Sequence, residues 1–182
     1  MEALQNIGIL LVEVLFSFYI GAILIRFLLA LSRANFYNPL SQSLVKITNP
    51  VLVPLRRMIP AIGKLDTASI VLALSLKIIQ TLLLVALQGS EANLPVVFVY
   101  AIIDLLRTVI YIYIAALIIQ AVLSWVGNSQ GNPLADLLHS LTEPLLRPVR
   151  QFVPVVGMMD FAPMVAMLLL YIVLIVLQSF GL

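Results

Sequence analysis

The sequence predicts an all-α membrane protein: four transmembrane helices arranged as two parallel tandem repeats, each a helix, an amphipathic interfacial elbow and a second helix. Three observations predict this. The 182 residues are 63% hydrophobic and 10% charged, with a mean hydropathy of +1.15, whereas a soluble domain is about half apolar and a quarter charged. Four apolar runs are each long enough to cross a hydrocarbon core, which takes about 20 helical residues. The chain also repeats itself. Asn38–Ala68 and Asn132–Ala162 align without gaps and agree at about 13 of 31 positions.

The repeat sets the architecture before any local reading. Its offset of 94 maps Met1 onto Pro95 and Gln88 onto Leu182. Residues 1–88 therefore form the first repeat, 89–94 a linker and 95–182 the second repeat. The predicted spans are 7–31 and 68–88 in the first, and 95–126 and 161–180 in the second. Lipid tolerates only helices or closed barrels, and these runs lack the alternation of a barrel strand. At about 1.5 Å per residue the third run exceeds the hydrocarbon thickness, so it is expected to tilt, break or begin at the interface. No basic stretch precedes the first run, which is longer than a signal-peptide core, so that span is expected to stay in the protein.

Basic residues orient the spans. Arg33, Lys46, Arg56, Arg57 and Lys64 follow the first span, and Arg147 and Arg150 follow the third. The N-terminal tail, the linker and the C-terminal end carry no Lys or Arg. The positive-inside rule puts both elbows (38–66 and 132–160) in the cytoplasm and both termini outside. The two halves then enter the membrane in the same direction, about a pseudo-twofold axis along its normal.

Within the elbows, Leu40, Leu44, Ile47 and Val51 fall at helical spacing opposite Ser41, Gln42, Ser43, Lys46 and Asn49. Leu134, Leu137, Leu138, Leu141 and Leu145 repeat the stripe opposite Asp136, His139, Ser140 and Glu143. That pattern suits a helix lying in the interface, with a shallow re-entrant element as the other option. Pro50, Pro54 and Pro60 recur as Pro144, Pro148 and Pro154. Proline disfavours helix at the residue before it, so Pro50 and Pro144 are expected to end one short helix and start another. Gly63 and Gly157 mark turns, and Asp66 and Asp160 are placed to cap the following spans. One reading makes each elbow a connector whose arginines grip lipid phosphates. The other makes it a docking or pore-lining surface, because a connection of a few residues would suffice to join two helices.

The pattern Asn38-Pro39…Pro50…Pro54-x-Arg56-Arg57…Pro60…Gly63-x-x-Asp66, repeated from Asn132-Pro133 to Asp160, resembles the YggT/YlmG family of small bacterial membrane proteins. The likeness covers both halves. The second copy departs from it where Arg57 becomes Gln151 and Lys64 becomes Met158. The resemblance implies a role in osmotic or envelope stress, potassium homeostasis, or division and membrane-complex assembly, and it carries no catalytic residue.

Charged groups inside spans are costly, about 2.5–3.5 kcal/mol each on insertion scales, and are therefore candidate sites. Here they are Glu13, Lys77, Asp104 and Arg107, with Gln80 and Gln120 as polar companions. Glu13 and Arg107 are repeat equivalents, either pairing across the halves or snorkelling into water. Asp104 and Arg107 also stand at i,i+3. Lys77 is near mid-span, either pointing into the bundle to find a carboxylate or lining a solute path with Gln80 and Gln120. Arg26 is expected to reach the headgroups. Trp125, Tyr37 and Phe36 are expected interfacial anchors.

With no cysteine and one histidine, His139, neither thiolate chemistry nor a protein-only transition-metal site is expected. No phosphate-binding glycine loop or nucleophile elbow is present. The expectation is a non-enzymatic protein without cofactor, metal or nucleic-acid partner. It would contact anionic headgroups and act as a scaffold or assembly factor through its elbows, with a homo-oligomer or a protein partner at the cytoplasmic face. A small oligomeric channel or transporter is the alternative.

Overall fold

The computed structural model describes residues 2–63, 65–126, 131–153 and 160–180. The described residues form six helices: α1 (Glu2–Leu31), α2 (Pro39–Met58), α3 (Thr67–Leu87), α4 (Leu94–Val126), α5 (Pro133–Val149) and α6 (Ala162–Phe180). Four of them, α1, α3, α4 and α6, are long and apolar enough to cross a membrane. Their outer faces expose side chains such as Leu4, Leu15, Phe18, Met164 and Leu168, as a multi-pass membrane protein requires of surfaces that meet lipid. The third span does not break. α4 is one helix of 33 residues, about 50 Å long.

Each elbow is a single helix, α2 or α5, rather than the two short ones expected. Pro50 and Pro54 lie inside α2, and Pro144 and Pro148 inside α5. All four are exposed. An interior proline removes one helix hydrogen bond. Spaced four apart, these prolines share one outward face, where the freed carbonyls meet solvent or headgroups and the helix persists. The N-terminal prolines behave conventionally. Pro39 and Pro133 open their helices, and the side chains of Asn38 and Asn132 each accept from the backbone N–H two residues on, at 2.9 Å.

The ends of α1 and α3 are each closed by a left-handed residue. After α1, Ala34 N donates to Leu29 O at 2.9 Å and Arg33 N to Ala30 O at 3.2 Å, with Arg33 at φ 55°. After α3 the same double closure falls on Gly89 at φ 68°, the residue type that this turn favours. Between α2 and α3 the chain reverses at Gly63, φ 62°, and Ile62 and Leu65 exchange backbone hydrogen bonds of 3.0 and 3.1 Å.

The chain folds into two compact units that do not coincide with the sequence halves. Unit one is residues 1–27 and 44–108; unit two is 28–43 and 109–182. The core of unit two includes Leu117, Leu146, Ala162 and Ala166, with Leu145, Val149, Met167 and Leu170 packed around them. Small residues at 162 and 166 allow α5 and α6 to approach closely.

Candidate functional site: the pinned elbows and an intramembrane ion pair

Three polar constellations stand out, two of them in duplicate. The first pins the end of each elbow to the start of the next span. In unit one Arg56 forks onto Asp66, Nε to Oδ1 at 3.3 Å and Nη2 to Oδ2. In unit two Arg150 Nε donates to Asp160 Oδ2 at 2.9 Å. Each arginine thus engages an aspartate of the same repeat. Asp160 also accepts from Ala162 N at 2.9 Å and so caps α6. Asp66 occupies the capping position of α3 but makes no backbone cap; its Oδ2 takes the Ser69 hydroxyl at 2.6 Å. Partial burial works to raise the Asp66 pKa, and the bonds from Arg56 and Ser69 outweigh it, holding the carboxyl below its ordinary 3.8. Burial likewise opposes the Arg150 charge, and the bonds to Asp160 and Glu143 overcome it, raising its pKa.

The second constellation staples the middle of each elbow to the preceding span. Arg26 does not reach the headgroups. It is 6% exposed, donating from Nη1 to Thr48 Oγ1 at 2.5 Å and from Nη2 to Asn49 Oδ1 at 2.9 Å. Its repeat equivalent is Gln120, whose Oε1 lies 2.6 Å from Thr142 Oγ1, and Thr142 is the equivalent of Thr48. Both threonines are fully buried, as are Leu52 and Leu146 one turn further on. The apolar stripe is thus used differently from the simple expectation. In α2 the buried positions are Ser41, Thr48 and Leu52, while Leu40, Ile47 and Val51 are exposed. In α5, Leu137, Leu138 and Leu141 are buried. An exposed apolar face on α2 is what a helix resting on a bilayer presents.

The third constellation has no counterpart among the described residues: Tyr171 and Leu174 stand at the positions equivalent to Lys77 and Gln80. In unit one Lys77 Nζ lies 2.5 Å from Asp104 Oδ2 and donates to Gln80 Oε1 at 3.0 Å. Gln80, 2% exposed, donates from Nε2 to Ser17 Oγ at 3.2 Å and to the Glu13 carbonyl at 3.4 Å. Lys77 is the eleventh of the 21 residues of α3, ten residues of helix from either end, so the pair sits at mid-span. Glu13 enters through its backbone, not its carboxylate. Asp104 takes Lys77, and half-buried Arg107 lies one turn further along α4. Gln120 is not part of this network; it belongs to the staple of unit two.

Of the remaining motif residues, Arg57 and Pro60 are exposed, and Tyr37 is 88% exposed. Lys64, Pro154, Gly157 and the Trp125 side chain lie outside the described residues. No group of three or more metal-ligating side chains occurs among the described residues. The repeat itself carries the signal for the staples and pins: Thr48/Thr142 is one of its identities, as are Arg56/Arg150 and Asp66/Asp160 at a constant spacing of ten.

Duplicated units of two apolar helices around an arginine-pinned amphipathic elbow define a class of tandem-repeat, multi-pass membrane proteins. The CCB3/YggT family model matches residues 5–87 and again 99–181, and the chain belongs to that family. The Escherichia coli K12 protein described as "Uncharacterized protein YggT" is 37% identical over 163 residues, covering 90% of this chain and 85% of its own length. Pseudomonas aeruginosa PA0392 is 38% identical over 175 residues, covering 95% and 89%. A Vibrio alginolyticus protein described by its place in the proC 3' region is 37% identical over 157 residues, covering 85% and 84%. No solved structure matches the chain.

Proposed function

We propose that the protein is a non-enzymatic scaffold or assembly factor of the bacterial cytoplasmic membrane, active in osmotic or envelope stress, with both elbows on the cytoplasmic face and both termini outside. The observation that carries this reading is a repeated exposed knob. Met58 ends α2 and Phe152 stands at the equivalent position after α5; they are 80% and 85% exposed. Each follows directly on the pinned arginine segment, so the Arg–Asp pair presents an apolar side chain at a fixed place twice per chain. Arg57 adds an exposed cation beside Met58 only, which gives the first elbow a preference for an acidic partner surface or anionic headgroups.

The test is Met58→Glu with Phe152→Glu, which leaves the Arg–Asp pairs intact. Cross-linking in intact cells is expected to lose a specific adduct that wild type gives at Phe152, with unchanged protein level and helicity. An unaltered cross-linking pattern overturns the reading. A second reading, a pathway for ions or osmolytes in an oligomer, draws on Lys77, Gln80, Asp104 and Ser17 at membrane depth. Lys77 and Asp104 neutralise each other, and that favours a structural role. Flux in liposomes that Lys77→Leu abolishes would establish transport in its place.

A further inference from the structure

Unit two contains a groove between α4 and α6. It has a volume of about 670 Å³, within the range of small-molecule sites. One wall is the last turns of α4, with Ile118, Ala121 and Val122; the other is the first turns of α6, with Met164 and Met167. Its polar end is closed by Gln120, Ser124, Arg150 and Asp160, where the elbow meets α6. The groove is thus apolar along its length and ionic at the membrane boundary, the polarity profile of an amphiphile lying parallel to the helices.

The charges at the polar end select among amphiphiles. Arg150 is engaged through Nε with Asp160 at 2.9 Å and through Nη1 with Glu143 at 2.6 Å. A guanidinium has five N–H donors, so it keeps donors for a phosphate oxygen. One cation faces two carboxylates, leaving the cluster with one excess negative charge, which opposes an anionic head. Asp160 has accepted one bond on each oxygen, and a carboxylate has about four acceptor sites. A head that carries both a phosphate and a primary ammonium satisfies Arg150 and Asp160 together.

The repeat supplies a built-in control. In the first repeat Phe27 stands where the groove has Ala121, and Arg26 where it has Gln120. Leu24 and Leu28 are 6% and 4% exposed, against 49% and 47% for their equivalents Ile118 and Val122. Side chains exposed along the groove in the second repeat have buried equivalents in the first.

We propose that this groove binds a zwitterionic aminophospholipid, with its phosphate on Arg150, its ammonium on Asp160 and an acyl chain along α4 and α6. The proposal is independent of the scaffold reading. Purified full-length protein is titrated with phosphatidylethanolamine, phosphatidylcholine or phosphatidylglycerol of matched chains, and bound lipid is counted by native mass spectrometry. One phosphatidylethanolamine is expected to bind on the order of tenfold more tightly than phosphatidylcholine, whose quaternary nitrogen cannot donate to Asp160; tenfold is the lower range for a hydrogen bond to a charged group. Ala121→Phe, which copies Phe27, is expected to abolish that binding. Met164→Phe, a change at a 62% exposed position, keeps the test open if Ala121→Phe fails to fold. Asp160→Asn is expected to erase the preference for ethanolamine over choline. Equal binding of the three lipids, a preference for phosphatidylglycerol, or binding unchanged in both groove-filling variants overturns the proposal.

Discussion

The two elbows share a skeleton and differ in wiring. Each hangs from an asparagine cap, is stapled at a buried threonine and is pinned by an arginine to the aspartate ten residues on. The difference lies in where the charge enters. In the first elbow the staple is a cation, Arg26, and the residue after the threonine is neutral Asn49, which accepts from it. In the second the staple is neutral Gln120 and the residue after the threonine is Glu143, which turns to Arg150 instead. Two positions have changed together, so that neither elbow buries a carboxylate or a guanidinium without a partner. Geometry here is fixed by the shared pins, and charge can be moved around them as long as both ends of a pair move.

The largest expected effect comes from the Lys77–Asp104 pair of unit one. Lys77→Leu or Asp104→Leu alone is expected to destabilise by about 3–5 kcal/mol, because each leaves a charge at mid-span without its partner, whereas the double replacement restores most of the loss. Tyr171, the exposed equivalent of Lys77, is expected to tolerate leucine within about 0.5 kcal/mol; unfolding in mild detergent compares the four variants. Next is a rewiring test. Arg26→Gln is expected to cost about 1.5–3 kcal/mol through lost charge-assisted bonds, and adding Asn49→Glu should recover part of it by giving Arg56 a second carboxylate, as Arg150 has.

A smaller effect separates the elbows by pH. The folded pKa of Asp66 lies below its ordinary 3.8. Its contribution is therefore complete above that value and is lost as pH falls through the lower folded one. Thermal stability of wild type is expected to be flat from neutral pH to about 4 and to fall below it, and Asp66→Asn should flatten part of that acid limb. The pair is more than a third exposed on the arginine side, so its loss is expected to cost at most about 1 kcal/mol. The smallest change is a gain. Arg33 holds a left-handed conformation that costs an ordinary residue about 1 kcal/mol, and the second copy has Gly127 at that place. Arg33→Gly is expected to stabilise by up to that amount in the same unfolding assay.

Much of this architecture was legible in the chain. The four spans follow from apolar length, the duplication from the 94-residue offset, and the cap of α6 from Asp160. What was not legible is partnership. Pro50 and Pro144 read as helix breakers because their cost is local, whereas the tolerance comes from an exposed face seen only in the fold. The stripe Leu40–Leu44–Ile47–Val51 gives the right secondary structure, but which face turns inward depends on what Thr48 bonds to on α1. Arg56 and Asp66 both belong to the repeated motif, yet a spacing of ten crosses a turn, and only the reversal at Gly63 brings them together. Lys77 and Asp104 are on different repeats, and no symmetry operation of the sequence relates them.

That last separation bears on how the protein is made. Lys77 is synthesised 27 residues before Asp104, a gap of about 1–5 s at common elongation rates. During that interval α3 carries an uncompensated ammonium at the depth where the membrane tolerates it least. The first repeat, although it has two spans and its own elbow, is thus an unfinished guest of the membrane until the leading half of α4 arrives. The linker 89–94 is short enough to deliver that half at once, and α3 and α4 are best understood as one hairpin that enters the bilayer together.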